Sequence, residues 1–390
     1  MKDFLKWTVF AGLFAIPFIP FLVSSSLFFP FITTKAFAWR FIIEIIFFSW
    51  LLLSIVDPAY RLKKSSILYA IATFLGVVLL ADIFGIDPTR SIWSNYERME
   101  GFISLAHLAA FFMVISSFFD EMDWKRWWNT TLVASFIMIL YCSLQIFGVK
   151  TINQGGVRVD GTFGNAIYLA VYMLFHIFIA MLMLFREWKN KGSRYIYGIL
   201  MFLQAIVLYY TATRGALLGL VGGLLIFSLL NIRNKEELWA RKISIGFIAA
   251  IVILVGGFFA VRNAQFVKDS SVLSRFSTLS VAELKTQGRY FIWPMAWQGI
   301  KEHPVLGWGQ ENFTYVFQKY YRPEMYNLEP WFDRAHNVFL DWAIAGGLLS
   351  LFIYLSLYFF ALSSIWRRGN FSYIEKSVLT SLLAAYFFHN

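Results

Sequence analysis

Three short stretches combine residue types that could act on a phosphate-linked substrate. Thr213-Arg214-Gly215 follows Tyr210-Thr211-Ala212 in a tight turn and opens an apolar run, so Arg214 stands at a helix amino end. The N–H groups and dipole of that end favour an anion, and a guanidinium adds a bidentate clamp for phosphate oxygens. An interfacial arginine reaching for lipid headgroups has the same setting, but the small neighbours Thr211, Thr213, Gly215 and Ala216 leave room for a ligand. In the second stretch, Gly288-Arg289 is followed by Trp293 and Trp297 at four-residue spacing, with Ile292, Ala296 and Ile300 on a second track. This is the pattern of a helix lying at a membrane surface, its arginine suited to a phosphate or to headgroups. Pro294 fits a first turn and would kink a longer helix. The third stretch, Arg334-Ala335-His336-Asn337, leads into another apolar run. A histidine at a helix amino end has its charged form disfavoured, which leaves a neutral imidazole able to accept a proton. Asn337 is the better cap by residue type and frees His336 for that role.

Two further polar loops, Asp87 to Gly101 with Arg98, and Arg158 to Asn165, interleave Arg, Asn and aromatic residues in a way that suits sugar and phosphate binding. A solvated connection is their plainer reading. His303, before a proline in a Gly- and Pro-containing turn, reads as structural. Glu44, Asp82 and Asp341 fall in apolar surroundings and form no evident relay, although such acids are functional candidates by default. No phosphate-binding P-loop, H-E-x-x-H or Cys/His spacing is present, so neither a nucleotide nor a metal is expected.

The elements that position these residues are membrane spans. A chain that is 59% hydrophobic and only 15% charged, with a mean hydropathy of +0.62, is neither a soluble enzyme nor a disordered protein. Cys142 is the one cysteine, which excludes an intrachain disulfide. Apolar runs near the roughly 20 residues needed to cross a bilayer begin close to Phe4, Ala36, Ile67, Phe102, Thr130, Ala166, Tyr195, Ala216, Ile243, Asn337 and Ile374. The first is too long for a signal peptide and has no A-x-A site, so it reads as an uncleaved anchor. Alternate connections hold basic groups, among them Lys63 and Lys64, Lys125 and Arg126, Lys189 and Lys191, Lys235 and Arg241, and Arg367 and Arg368. Those sides face the cytoplasm, with the amino terminus inside. The net charge of +11 is thereby mostly topological, and no nucleic-acid partner is expected. The division expected is residues 1–261 as nine transmembrane helices, 262–335 as one large outer-face loop with surface helices, and 336–390 as the carboxy-terminal helices.

In order and spacing, these clusters resemble the bacterial O-antigen ligase and O-antigen polymerase superfamily, which includes O-linked protein oligosaccharyltransferases. The most specific run is Gly288-Arg289, Trp293, Pro304-Val305-Leu306-Gly307-Trp308-Gly309, His336-Asn337 and Gly346-Gly347-Leu348-Leu349. Tyr96 to Gly101, Gly161 to Asn165 and Thr213 to Ala216 are further landmarks. The resemblance implies an all-α polytopic integral membrane protein of the GT-C-like kind, with about 11 transmembrane helices here and 12 in a longer form, since the chain stops at His389-Asn390 where members commonly continue. It implies a metal-independent, inverting glycosyltransferase at the outer face of the bacterial inner membrane, without a cofactor. The donor would be an undecaprenyl diphosphate-linked glycan and the acceptor a glycan, lipid or protein hydroxyl. Arg214 and Arg289 would hold the diphosphate, His336 would activate the acceptor, and Asn337, Arg98, Asn165, Arg158 and Trp293 would bind substrate. Ligase, repeat-unit polymerase and protein oligosaccharyltransferase remain open by these motifs. A lipid-linked oligosaccharide flippase would instead place its charges near mid-bilayer, whereas the informative polar groups here gather at one face.

Overall fold

The structure is a computed structural model that describes residues 1–234, 237–270, 272–277, 288–326, 331–367 and 371–389, the side chain of Phe276 apart. Lys235, Arg368 and Asn390 lie outside the described residues. Every regular element among the described residues is helical. In the amino-terminal part these are α1 (Lys2–Ala15, prolonged by a 3-10 segment Ile16–Phe21), α2 (Thr33–Val56), α3 (Ser66–Ile83), the short α4 (Pro88–Trp93), α5 (Phe102–Phe118) and α6 (Glu121–Ile146). Then come α7 (Ala166–Arg186), α8 (Lys191–Tyr210), α9 (Arg214–Asn231) and α10 (Leu238–Val261). The large loop carries α11 (Gln265–Asp269), α12 (Ser274–Ser277), α13 (Gly288–Glu302) and α14 (Phe313–Lys319), and the chain closes with α15 (Val338–Arg367) and α16 (Tyr373–His389).

Nine of the described helices are long and apolar enough to cross a membrane, and the protein is a polytopic membrane protein. The other two expected spans are α5 and α16, each 17 residues, the lower end of the roughly 17–25 residues a crossing needs.

The chain forms two compact units, Met1–Trp124 with Ser280–Ala361, and Lys125–Leu279 with Leu362–Asn390. In the first, α1 packs on α2 through Val9, Leu13, Ile43 and Ile46, all essentially without exposed surface. A second core forms where Ile292, Ala296 and Ile300 of α13 meet Val316 and Phe317 of α14 and Ala343 and Ile344 of α15. The apolar track read from the sequence is therefore the buried face of α13, while Arg289, Trp293 and Trp297 lie on its exposed side. Pro294 stands inside this 15-residue helix, not in its first turn.

The second unit is built around α7, most of which is buried. Small residues let α9 and α16 approach closely, as membrane helices do when lipid supplies no hydrophobic drive for their association. A Cβ at Gly219 would lie 2.6 Å from the Ala385 carbonyl oxygen, and one at Gly223 would lie 2.8 Å from Ala385 Cβ.

Candidate active site

In the first unit the site is built on a clasp of backbone. Helix α15 breaks at Gly346 and Gly347, where Gly347 has φ +67°. The break leaves carbonyls without helical partners, and the Pro304-to-Gly309 turn supplies donors. Trp308 N–H donates to Ile344 O at 2.7 Å, Gly309 N–H to Ala345 O at 2.9 Å, and Leu348 N–H returns a bond to Pro304 O at 2.8 Å. No side chain fits between the two segments. A Cβ at Gly347 would lie 2.1 Å from Val305 O, and one at Gly307 would lie 2.2 Å from Ile344 O. The two glycine motifs of the sequence are the two halves of this contact. Gly347→Ala is expected to cost more than about 2 kcal/mol from the left-handed backbone and the clash together. Its thermal unfolding in detergent should fall by several degrees; an unchanged midpoint would show that the clasp adds no stability.

The clasp continues into buried polar bonds. Asp82 of α3 accepts the Gln310 N–H at 2.7 Å, Ser91 of α4 donates to Gln310 O at 2.9 Å, and Asn312 donates to both Ser91 Oγ and Trp308 O. Asp82 is thus a backbone acceptor, Asp341 accepts the Ala335 N–H, and Glu44 contacts His107. The three acids in apolar surroundings each have a partner, although the second carboxylate oxygen of Asp82 and the side-chain oxygens of Gln310 and Asn312 are buried without a hydrogen bond. His303 lies edge-on to Trp308, as a packing residue would.

This frame presents His336 to the exterior with φ +53°, a left-handed backbone that costs a side-chain-bearing residue energy. Neighbours fix it from both sides. Ala335 is buried, its N–H donating to Asp341 Oδ1 at 2.7 Å and its carbonyl accepting Trp293 Nε1–H at 3.2 Å. Asn337 caps α15, its side-chain oxygen accepting the N–H groups of Phe339 and Leu340. Gly288 lets α13 approach Phe332, since a Cβ there would lie 2.8 Å from the ring, and Phe332 stands edge-on to His336 at 5.7 Å between centroids. The next residue is Arg289. Partial enclosure and then the Arg289 charge push the His336 imidazole below its ordinary value, with Asp333 opposing and Arg98 and Arg334 adding to the effect. The shift favours the neutral form of the ring.

A network of ion pairs, unread in the sequence, surrounds this residue. Arg98 binds Asp333 at 2.7 Å, and Arg334 binds Glu100 at 2.6 Å and Glu311 at 2.7 Å. Despite burial, Arg98 keeps the Asp333 carboxyl below the usual range. Burial, helped by Glu100, raises Glu311 although Arg334 opposes it. Ser94, Met99 and Glu311 also have positive φ, so four of the six non-glycine residues described with that backbone lie in this network or at His336. Such strain persists only where the surroundings impose it, and it concentrates at functional sites.

The second unit holds its own cationic turn. Arg158 donates to Thr211 O at 2.9 Å and to Thr213 Oγ1 at 3.0 Å, bracing the Ala212 turn, itself at φ +49°, from which Arg214 starts α9. Burial, and then the charge of Arg275, lower the Arg158 guanidinium. Asn165 caps α7 by accepting the Ile167 N–H at 2.8 Å. Asp160 is fully buried and accepts bonds from Gln145, Asn153 and the Gln154 N–H. Of the residues singled out in the sequence, Arg98, Arg289, Trp293, His336 and Asn337 belong to the first unit and Arg158, Asn165 and Arg214 to the second. Arg98, Arg158, Asn165, Trp293 and Asn337 all make bonds that hold the local frame. Among the described residues no group of three or more His, Cys, Asp or Glu side chains is placed to hold a metal ion.

No curated protein matches the chain. The family model for O-antigen ligase matches residues 199–355, a stretch that contains Arg214, Arg289, Trp293, His336, Asn337 and both halves of the glycine clasp. That match covers less than half of the chain and makes this stretch similar to the O-antigen ligase family.

Proposed function

We propose that the protein transfers a glycan from an undecaprenyl diphosphate carrier to an acceptor hydroxyl at the outer face of the bacterial inner membrane. The observation that carries this reading is the exposed His336, held in a left-handed conformation beside the positive charge of Arg289, which with partial enclosure pushes the imidazole below its ordinary value. In the proposed step His336 takes the acceptor O–H proton while the acceptor oxygen attacks the anomeric carbon. The bond from that carbon to the phosphate oxygen breaks, its electron pair leaves with the diphosphate, and the configuration inverts. Arg289 would stabilise the charge that grows on the leaving diphosphate, an interaction stronger in the transition state than in the ground state. Arg214 is proposed as a further diphosphate ligand, and Arg158 and Asn337 act by holding the turns that present Arg214 and His336. Arg98, Trp293 and Asn165 are proposed substrate contacts that also brace their own loops.

The similarity of residues 199–355 to the O-antigen ligase family supports a lipid-linked glycan substrate, and within that chemistry we favour ligation to a lipid A core or another surface molecule. The experiment is transfer by the purified, detergent-solubilised protein from purified undecaprenyl diphosphate-linked glycan. Candidate acceptors are a lipid A core, a second copy of the lipid-linked glycan, and an acceptor peptide. Product with the core alone supports a ligase; product with one of the others reassigns the acceptor. A donor that binds and is moved across a vesicle bilayer without product would replace the enzyme by a flippase.

A further inference from the structure

Helix α2 carries an ionisable side chain on the face it turns to lipid. Its buried residues Ile43, Ile46, Trp50 and Leu53 lie on one side. Phe37, Phe41, Phe48, Leu51 and Ile55 occupy the opposite side and stay exposed, as does Glu44. These six residues are spaced 4-3-4-3-4 along the sequence, the alternation that keeps one stripe facing a neighbouring helix in a left-handed coiled coil. Glu44 is the twelfth of the 24 residues of α2. At 1.5 Å per residue that is about 17 Å from each end, too far for its carboxyl to reach a headgroup.

An ionisable group at such depth is costly and calls for partners. One is present: His107 Nε2 meets Glu44 Oε1 at 3.3 Å, while His107 Nδ1 donates to the Ile103 carbonyl at 2.7 Å. Arg40, one turn earlier on α2, is engaged with Met99 O and Ser104 Oγ, each at 3.0 Å. The second Glu44 oxygen makes no hydrogen bond among the described residues, and the side chain remains 56% exposed, against 14% for His107. The carboxyl is therefore the polar group offered to whatever lies alongside.

We propose that this stripe is the docking surface for a second copy of the chain, α2 lying along α2 with Glu44 against Glu44. Copies inserted in the same sense present the carboxyl at the same depth, and a two-fold axis along the membrane normal sets the two stripes face to face. A carboxyl suits this symmetry because its protonated form has both an O–H and an accepting oxygen. Lipid tails supply neither, and a single polar group on an otherwise apolar seam fixes which residues face each other. The surface takes no part in the proposed transfer chemistry, and its test needs no glycan.

The test places the fluorescently labelled full chain in lipid vesicles at low protein-to-lipid ratio and counts photobleaching steps. The wild type is expected to give two-step particles, and Glu44→Gln, which keeps a donor and an acceptor, should match it. Glu44→Leu should weaken pairing by about tenfold, the effect of losing one interhelical hydrogen bond. Disulfide cross-linking locates the surface. Phe41→Cys and Phe48→Cys should each form a dimer on oxidation, whereas the wild type, whose one cysteine is buried, and Leu254→Cys at an exposed position of α10 should not. One-step particles for the wild type, pairing unchanged in a Glu44→Leu variant of wild-type helicity by circular dichroism, or equal cross-linking from Leu254→Cys overturns the proposal.

Discussion

His336→Ala is expected to lower glycan transfer by about 10²–10⁴-fold, the range that a general base contributes. The residue also has φ +53°, so alanine alone mixes two effects, a lost base and a strained backbone. His336→Asn separates them, because asparagine tolerates the left-handed region well and cannot serve as the base. The expected result is an asparagine variant that unfolds at the wild-type temperature and still fails to turn over. The pH profile gives a second readout. Because the imidazole is pushed below its ordinary value of about 6.5, the neutral form persists to lower pH, and kcat/KM should fall only as pH drops through that depressed value. An asparagine variant with near-wild-type turnover, or an acid limb unmoved by its substitution, would reject His336 as the base.

Most helices were legible because a span is a local property: an apolar run long enough to cross lipid has few other folds open to it. The apolar runs that begin close to Ala166 and Ala216 correspond to α7 at Ala166–Arg186 and α9 at Arg214–Asn231. The break in α15 was not legible. A Gly-Gly pair within an apolar run is as compatible with close helix packing as with an interruption, and only the partner segment, nearly 40 residues earlier in the chain, decides between them. The same limit hid the network at the site. Arg334 bridges Glu100 and Glu311, and Arg98 reaches Asp333, across separations on which no local pattern reports.

Candidate chemistry was easier to read than supporting structure. His336, Arg289 and Arg214 stand out because each is a costly residue at the edge of an apolar run; the structure puts Arg214 at the start of α9, His336 just before α15 and Arg289 on the exposed side of α13. Asn165 and Arg158 stand out equally, yet the one caps a helix and the other braces a turn. Residue type and spacing do not distinguish a group that meets a ligand from one that holds the loop beside it. The clearest signal of constraint is the run of positive φ angles at Ser94, Met99, Ala212, Glu311 and His336, which belongs to the backbone and leaves no mark in composition.

Arg289→Ala is expected to reduce kcat by about 10²–10³-fold, the effect of removing one fixed donor to a developing anion. Arg289→Lys should recover part of this, since lysine supplies the charge without the planar, bidentate fork. Because the Arg289 charge also depresses His336, the same residue should move a titration. Arg289→Gln keeps much of the side-chain length and removes the charge, so the His336 value should rise and the acid limb of kcat/KM should shift to higher pH. An arginine that only anchors α13 to headgroups predicts otherwise: turnover within a factor of a few of wild type, an unmoved acid limb, and a loss confined to membrane association. A large fall in kcat together with the upward shift therefore requires Arg289 to act on the reacting groups, and either result alone assigns it to the leaving group or to the base.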